Sequence, residues 1–148
     1  MKKRLVWWIL ISLAACSCTT LNSFNTVPLP KDIKIISPAS NLPPEIKAFS
    51  GKWGGKWFAP GSAATLDSVL IVEKVEEGKA IVYYCWGNCP EWRVTSGWIK
   101  HKTAKFYQEN GKMILSFENG RYKFFIQGQR LEGFLDNPRG SITMKRLL

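Results

Sequence analysis

From Gly51 onward the chain is a succession of short apolar runs separated by turn-forming residues, and no other feature restricts the fold as strongly. "VLIVEKV" (Val69–Val75) is followed by "EEGK", and "AIVYYCW" (Ala80–Trp86) by "GNCP". "WRVTSGWIK" covers Trp92–Lys100, and "KMILSF" (Lys112–Phe117) ends in Glu118-Asn119-Gly120. "RYKFFIQ", "RLEGFLD" and "SITMKRL" complete the series, broken by Gly-Gln and Asn-Pro-Arg-Gly. Asn-Gly between two strand-like runs is a strong hairpin signal, because both residues tolerate the positive φ that a tight turn demands. No segment after Glu45 repeats its apolar residues with a helical period and caps. With "GKWGGKWF" (Gly51–Phe58) as the first, eight short strands follow one another. Strands joined by tight turns are antiparallel neighbours, and such a sheet loses its edges by closing on itself. The expected fold is all-β, an up-and-down antiparallel barrel of eight strands over residues 46–148.

The first strand carries a repeated Gly-Lys-Trp unit, Gly51-Lys52-Trp53 and Gly55-Lys56-Trp57. Three glycines in five residues argue against a helix, each costing about 1 kcal/mol there. In a strand, Gly51, Trp53, Gly55 and Trp57 share one face and the lysines take the other. The two indoles are therefore expected inside. A phosphate loop is not expected, since its Lys-Ser/Thr ending is missing.

Lys2, Lys3 and Arg4 precede "LVWWILISLAA" (Leu5–Ala15), apolar except for Ser12. A basic start, a short apolar run and a small-residue end form a secretory signal peptide, expected over residues 1–15. The quartet Leu13-Ala14-Ala15-Cys16 resembles the lipobox of bacterial lipoproteins. That resemblance implies cleavage before Cys16, a lipid on its sulfur and attachment to a membrane of the cell envelope, facing the periplasm or outer surface. Residues 16–45, with prolines 28, 30, 38, 43 and 44, are expected as a flexible tether.

Gly51-x-Trp53 on a first strand, with Arg146 near the end of the last, resembles the lipocalin and wider calycin barrels. A similar string of aromatic-rich runs occurs in a group of uncharacterised secreted bacterial domains. The resemblance implies that Trp53 packs at a closed end beneath Arg146, tying the first strand to the last. It implies a fold and no activity.

Cys85 and Cys89 flank Trp86-Gly87-Asn88, and export to an oxidising compartment makes a disulfide the expected state. Metal and redox roles are the alternatives, with His101 the only histidine available as a further ligand. No metal or cofactor is expected. Neither a Gly-x-Ser-x-Gly elbow nor a second histidine is present, and His101, between Lys100 and Lys102, is expected to be solvated. The chain is therefore expected to be non-catalytic, the alternative being an envelope enzyme or an accessory domain of a hydrolase. Tyr83, Tyr84, Trp86, Asn88, Trp92 and Arg93 gather around the turn and are the candidate ligand-binding residues, aromatic and Arg side chains being typical of hot spots. The competing reading is that Tyr83 or Tyr84, with Trp92 and Trp98, fills a barrel wide enough for side chains or one small ligand. Without the three N-terminal cations the chain holds 18 basic and 11 acidic side chains, a net +7. That surplus suits an anionic lipid, lipopolysaccharide or a glycan. Nucleic acid is not expected in the envelope.

Overall fold

The computed structural model describes residues 26–148. The expectations for the signal peptide and for Cys16 lie outside the described residues. Eight strands close into one antiparallel barrel in chain order. They are β1 (Gly51–Phe58), β2 (Thr65–Glu76), β3 (Lys79–Trp86), β4 (Gly97–Glu109), β5 (Lys112–Phe117), β6 (Tyr122–Gln127), β7 (Arg130–Leu135) and β8 (Gly140–Arg146). A single helical turn, α1 (Pro44–Lys47), precedes them. The seam pairs β1 with β8, from Trp53 opposite Arg146 to Phe58 opposite Ser141. The Asn-Gly signal becomes the β5–β6 turn, with Glu118, Asn119 and Gly120 all at positive φ.

The Gly-Lys-Trp strand alternates as its pattern demands. Trp53 and Trp57 are 2% and 3% exposed inside the barrel, while Lys56 lies outside and pairs with Asp67 at 2.6 Å. Gly55 is required by the seam, since a Cβ there would lie 2.5 Å from the Thr143 carbonyl oxygen. The interior is filled by Leu70, Val72, Val82, Leu115, Phe124, Leu131, Ile142 and Met144.

Two expectations change in the first half of the chain. Within the flexible tether expected over residues 16–45, Val27 and the stretch Ile33–Ile36 lie against the barrel. Val27 is buried with Val69, Ile71 and Cys85 on the outer face of β2 and β3, and Ile33, Ile35 and Tyr83 pack on that cluster. The Ile36 amide donates to the Glu73 carbonyl at 2.8 Å. This arm explains why "VLIV" reads as a continuous apolar run: β2 is covered on both faces, as a strand buried between two layers must be.

The second correction is the disulfide. Cys85 and Cys89 are both free thiols. Cys85 points outward beneath Val27, whereas Cys89 belongs to the interior cluster, so the barrel wall separates them. The turn at Trp86-Gly87-Asn88 forms, but its ends bond elsewhere: Gly87 N–H to the Asp67 carbonyl and Cys89 N–H to the Val94 carbonyl. Burial pushes the Cys85 thiol up to about 12, which makes it inert as a nucleophile.

The expected fourth strand also shifts. Pro90–Trp92 form a 3-10 turn closed by Arg93 in the left-handed region at φ 55°. β4 starts only at Gly97 and continues to Glu109, which places His101 in mid-strand. β4 pairs with β3 over Gly97–Lys105, but with β5 only from Lys105 onward. Residues 97–104 therefore border a slit in the wall.

Candidate functional site

The two ends of the barrel differ. One carries the tight turns at Gly78, Gly111 and Gly128 and is stoppered by α1 and Phe49. At the other, the longer β1–β2 and β3–β4 connections and the β5–β6 and β7–β8 turns surround a mouth. That mouth opens into a cavity of about 560 Å³. Its walls are aromatic and aliphatic: Trp57, Leu66, Tyr84, Trp86, Trp92 and Tyr122, with Val94 and Leu135. Glu118, Arg121 and Arg139 stand at its edge.

Hydrogen bonds fix Trp57, Tyr84, Trp86 and Trp92. Trp57 Nε1 donates to the Tyr84 hydroxyl at 2.7 Å, and Ser68 Oγ lies 3.2 Å from the same oxygen. Trp86 Nε1 donates to the Thr95 carbonyl at 2.8 Å and Trp92 Nε1 to Ser62 Oγ at 3.0 Å. These donors are therefore engaged within the protein, and the rings offer mainly their faces to the cavity. Tyr84 packs 4.9 Å from Tyr122, and Phe117 stacks on Tyr122 at 4.9 Å. Burial raises the Tyr84 phenol well above the ordinary tyrosine value and also raises that of Tyr122. The aromatic wall is uncharged, and the charges stand at the edge.

The structure divides the candidate ligand residues. Tyr84, Trp86 and Trp92 line the cavity, with Tyr84 also belonging to the core. Tyr83 faces outward, where its hydroxyl accepts a bond from Lys100 Nζ at 2.7 Å and its ring meets Trp98 edge-on. Asn88 and Arg93 are exposed in the loop and do not line the cavity. The parity of β3 accounts for the split, since Tyr84 and Trp86 share the inner face and Tyr83 takes the outer. Trp98, weighed as barrel filling, is 48% exposed on the outside. Tyr122, Leu66, Leu135, Arg121 and Arg139 were not foreseen. They come from strand ends and turns that meet only once the barrel closes. The inward parity of Trp57 was a readable sign of the site.

His101 is not solvated. Its side chain, 14% exposed, stacks on Phe117 at 4.6 Å across the slit and lies 3.7 Å from Glu118 Oε1. Nε2 is buried without a hydrogen-bond partner. Burial lowers its affinity for a proton, and Glu118 offsets this only in part. A histidine whose folded-state pKa is depressed costs stability once the unfolded chain begins to take up the proton. That loss starts as pH falls below the ordinary value of 6.5 and grows until the folded protein is protonated too. His101→Phe keeps the stacked ring and removes the proton site. Urea midpoints at about pH 7.5 and about pH 5 are expected to fall less in the variant than in the wild type. Equal losses would exclude a role for this histidine.

At the stoppered end, Arg146 lies over Trp53 at 4.2 Å and donates to the carbonyls of Ser50 and Ala48 at 2.6 and 2.8 Å. Trp53 Nε1 donates to the Phe49 carbonyl at 2.9 Å. Gly51, at φ 118°, leaves room for this arrangement, because a Cβ would stand 2.6 Å from Arg146 Nη1. Among the described residues no three His, Cys, Asp or Glu side chains gather as a metal site. Comparison of the chain with protein-family models, curated proteins and solved structures returned no match.

Proposed function

We propose that this chain is a lipid-anchored lipoprotein of the bacterial cell envelope whose lipocalin-like barrel is a non-catalytic binding module for a small, largely apolar ligand. The observation that carries the binding role is the mouth cavity: an aromatic chamber at one end of a barrel that is otherwise filled. Its volume of about 560 Å³ falls within the roughly 300–1,000 Å³ typical of small-molecule sites. With its indole N–H groups engaged, the chamber binds by burial and stacking, at about 0.8 kcal/mol per methylene removed from water. Arg121 and Arg139 at the edge suit a ligand whose exposed end is anionic.

The anchor rests on the Leu13-Ala14-Ala15-Cys16 motif. Two observations fit an apolar supply nearby. Val27, eleven residues after Cys16 in the sequence, lies against the mouth end beside Gly87. Phe58, Trp98, Ile99 and Phe134, between 42% and 53% exposed, lie on strands at that same end.

Purified full chain titrated with fatty acids, aromatic carboxylates, lipopolysaccharide and cell-wall fragments is expected to give a saturable tryptophan-fluorescence change with at least one of them. Trp86→Ala is expected to weaken that binding at least about tenfold, the loss of about 1.4 kcal/mol. Silence across the whole panel would overturn the binding role. Labelled palmitate should enter the wild type and not Cys16→Ser; equal incorporation would refute the anchor.

A further inference from the structure

Three cations of the chain gather in one recess that no acidic side chain lines. At the mouth, Arg121 pairs with Glu118 at 3.6 Å, while Arg93 and Arg139 have no carboxylate within 4.0 Å among the described residues. At the stoppered end, Lys52, Lys105, Arg130, Lys145 and Arg146 have no carboxylate within 4.0 Å among the described residues. Three of these cations line a single recess of about 590 Å³ between the end of β8 and the β6–β7 turn, and no acidic side chain lines it.

Arg130 and Lys145 stand directly opposite each other across β7 and β8. Both are exposed on the outer face, because Leu131 and Met144 beside them fill the interior. Like charges in this relation repel, and nothing in the recess neutralises them. Arg146 supplies the third charge in a fixed position. Its two bonds to Ala48 and Ser50 and its stacking on Trp53 hold the guanidinium before any ligand arrives. A guanidinium has five N–H donors, so others stay available. Trp53 and Ile126 add an apolar wall beside the charges, and Gln129 adds a neutral polar group.

We propose that this recess, at the opposite end of the barrel from the aromatic chamber, binds a phosphate-bearing ligand. Arginine forks match phosphate oxygens in pairs, and a lysine ammonium supplies a point charge beside them. The anion takes up the repulsion between Arg130 and Lys145, and the apolar wall receives the group that carries the phosphate.

Calorimetric titration of the full chain with pyrophosphate, against sodium chloride at equal ionic strength, tests the assignment. Saturable binding at one site per chain is expected. Arg130→Gln and Lys145→Gln are each expected to weaken it at least tenfold and to raise the melting temperature of the ligand-free protein. A merely structural role for either side chain would lower that temperature. Displacement of pyrophosphate by phosphatidylglycerol vesicles assigns the site to a lipid headgroup, and failure to displace assigns it to a soluble phosphate. Absence of saturable binding, or binding unchanged in both variants, overturns the proposal. Both variants leave the mouth untouched, so its ligand titration reports independently.

Discussion

Trp53→Ala lowers the stability of the protein by about 3–5 kcal/mol, the range for deleting a fully buried indole. The upper half of that range is expected. The substitution empties the space beneath Arg146, removes the bond to the Phe49 carbonyl and ends the stacking that joins β8 to β1. Arg146 would keep its carbonyl bonds but lose its platform. Denaturant unfolding should show the midpoint falling with little change in slope. A shift below about 1 kcal/mol would mean that the stoppered end closes without this residue.

Gly55→Ala is the second large effect, expected near the top of the roughly 1–3 kcal/mol range for overpacking. The added methyl would meet the Thr143 carbonyl oxygen at 2.5 Å, the Met144 side chain at 2.9 Å and Ile142 at 3.1 Å. The nearest atom is backbone of the adjoining strand, so relief requires the seam between β1 and β8 to separate. Gly87→Ala is the control. Its Cβ would find only ordinary contacts, at 3.6 Å and beyond, and its φ is not positive. Neutral or slightly stabilising behaviour is expected there, from the reduced freedom of the unfolded chain. Equal costs at both glycines, measured by the same unfolding curves, would remove the steric explanation.

The barrel was legible because its determinants are local. Parity along Gly51–Trp57 placed both indoles, and Asn119-Gly120 placed a hairpin. Turn residues marked most of the remaining strand ends. What was not legible depends on contacts between distant segments. The "IKII" stretch gives no sign that it covers β2, although the unbroken apolar run of β2 shows afterwards that something must. The cysteine pair illustrates a different limit. Sequence distance allowed a bridge, but Cys85 had already been committed to the outer face by the inward parity of Tyr84 and Trp86. His101 misled for a related reason: lysines on either side suggested solvent, while its partner Phe117 lies on the next strand. Of the candidate site, Tyr84, Trp86 and Trp92 could be named from one loop. The opposite wall, Tyr122 with Leu135, comes from strands brought there by closure.

The missing pairing along residues 97–104 of β4 has a mechanical consequence. A barrel zipped along every strand can widen only by breaking a ladder of backbone bonds. Here the wall beside the chamber is held by side chains, chiefly the stacked rings of His101 and Phe117. Separating those two rings would break no backbone bond between strands. Widening the wall at this point would cost side-chain packing and leave the hydrogen-bonded frame whole.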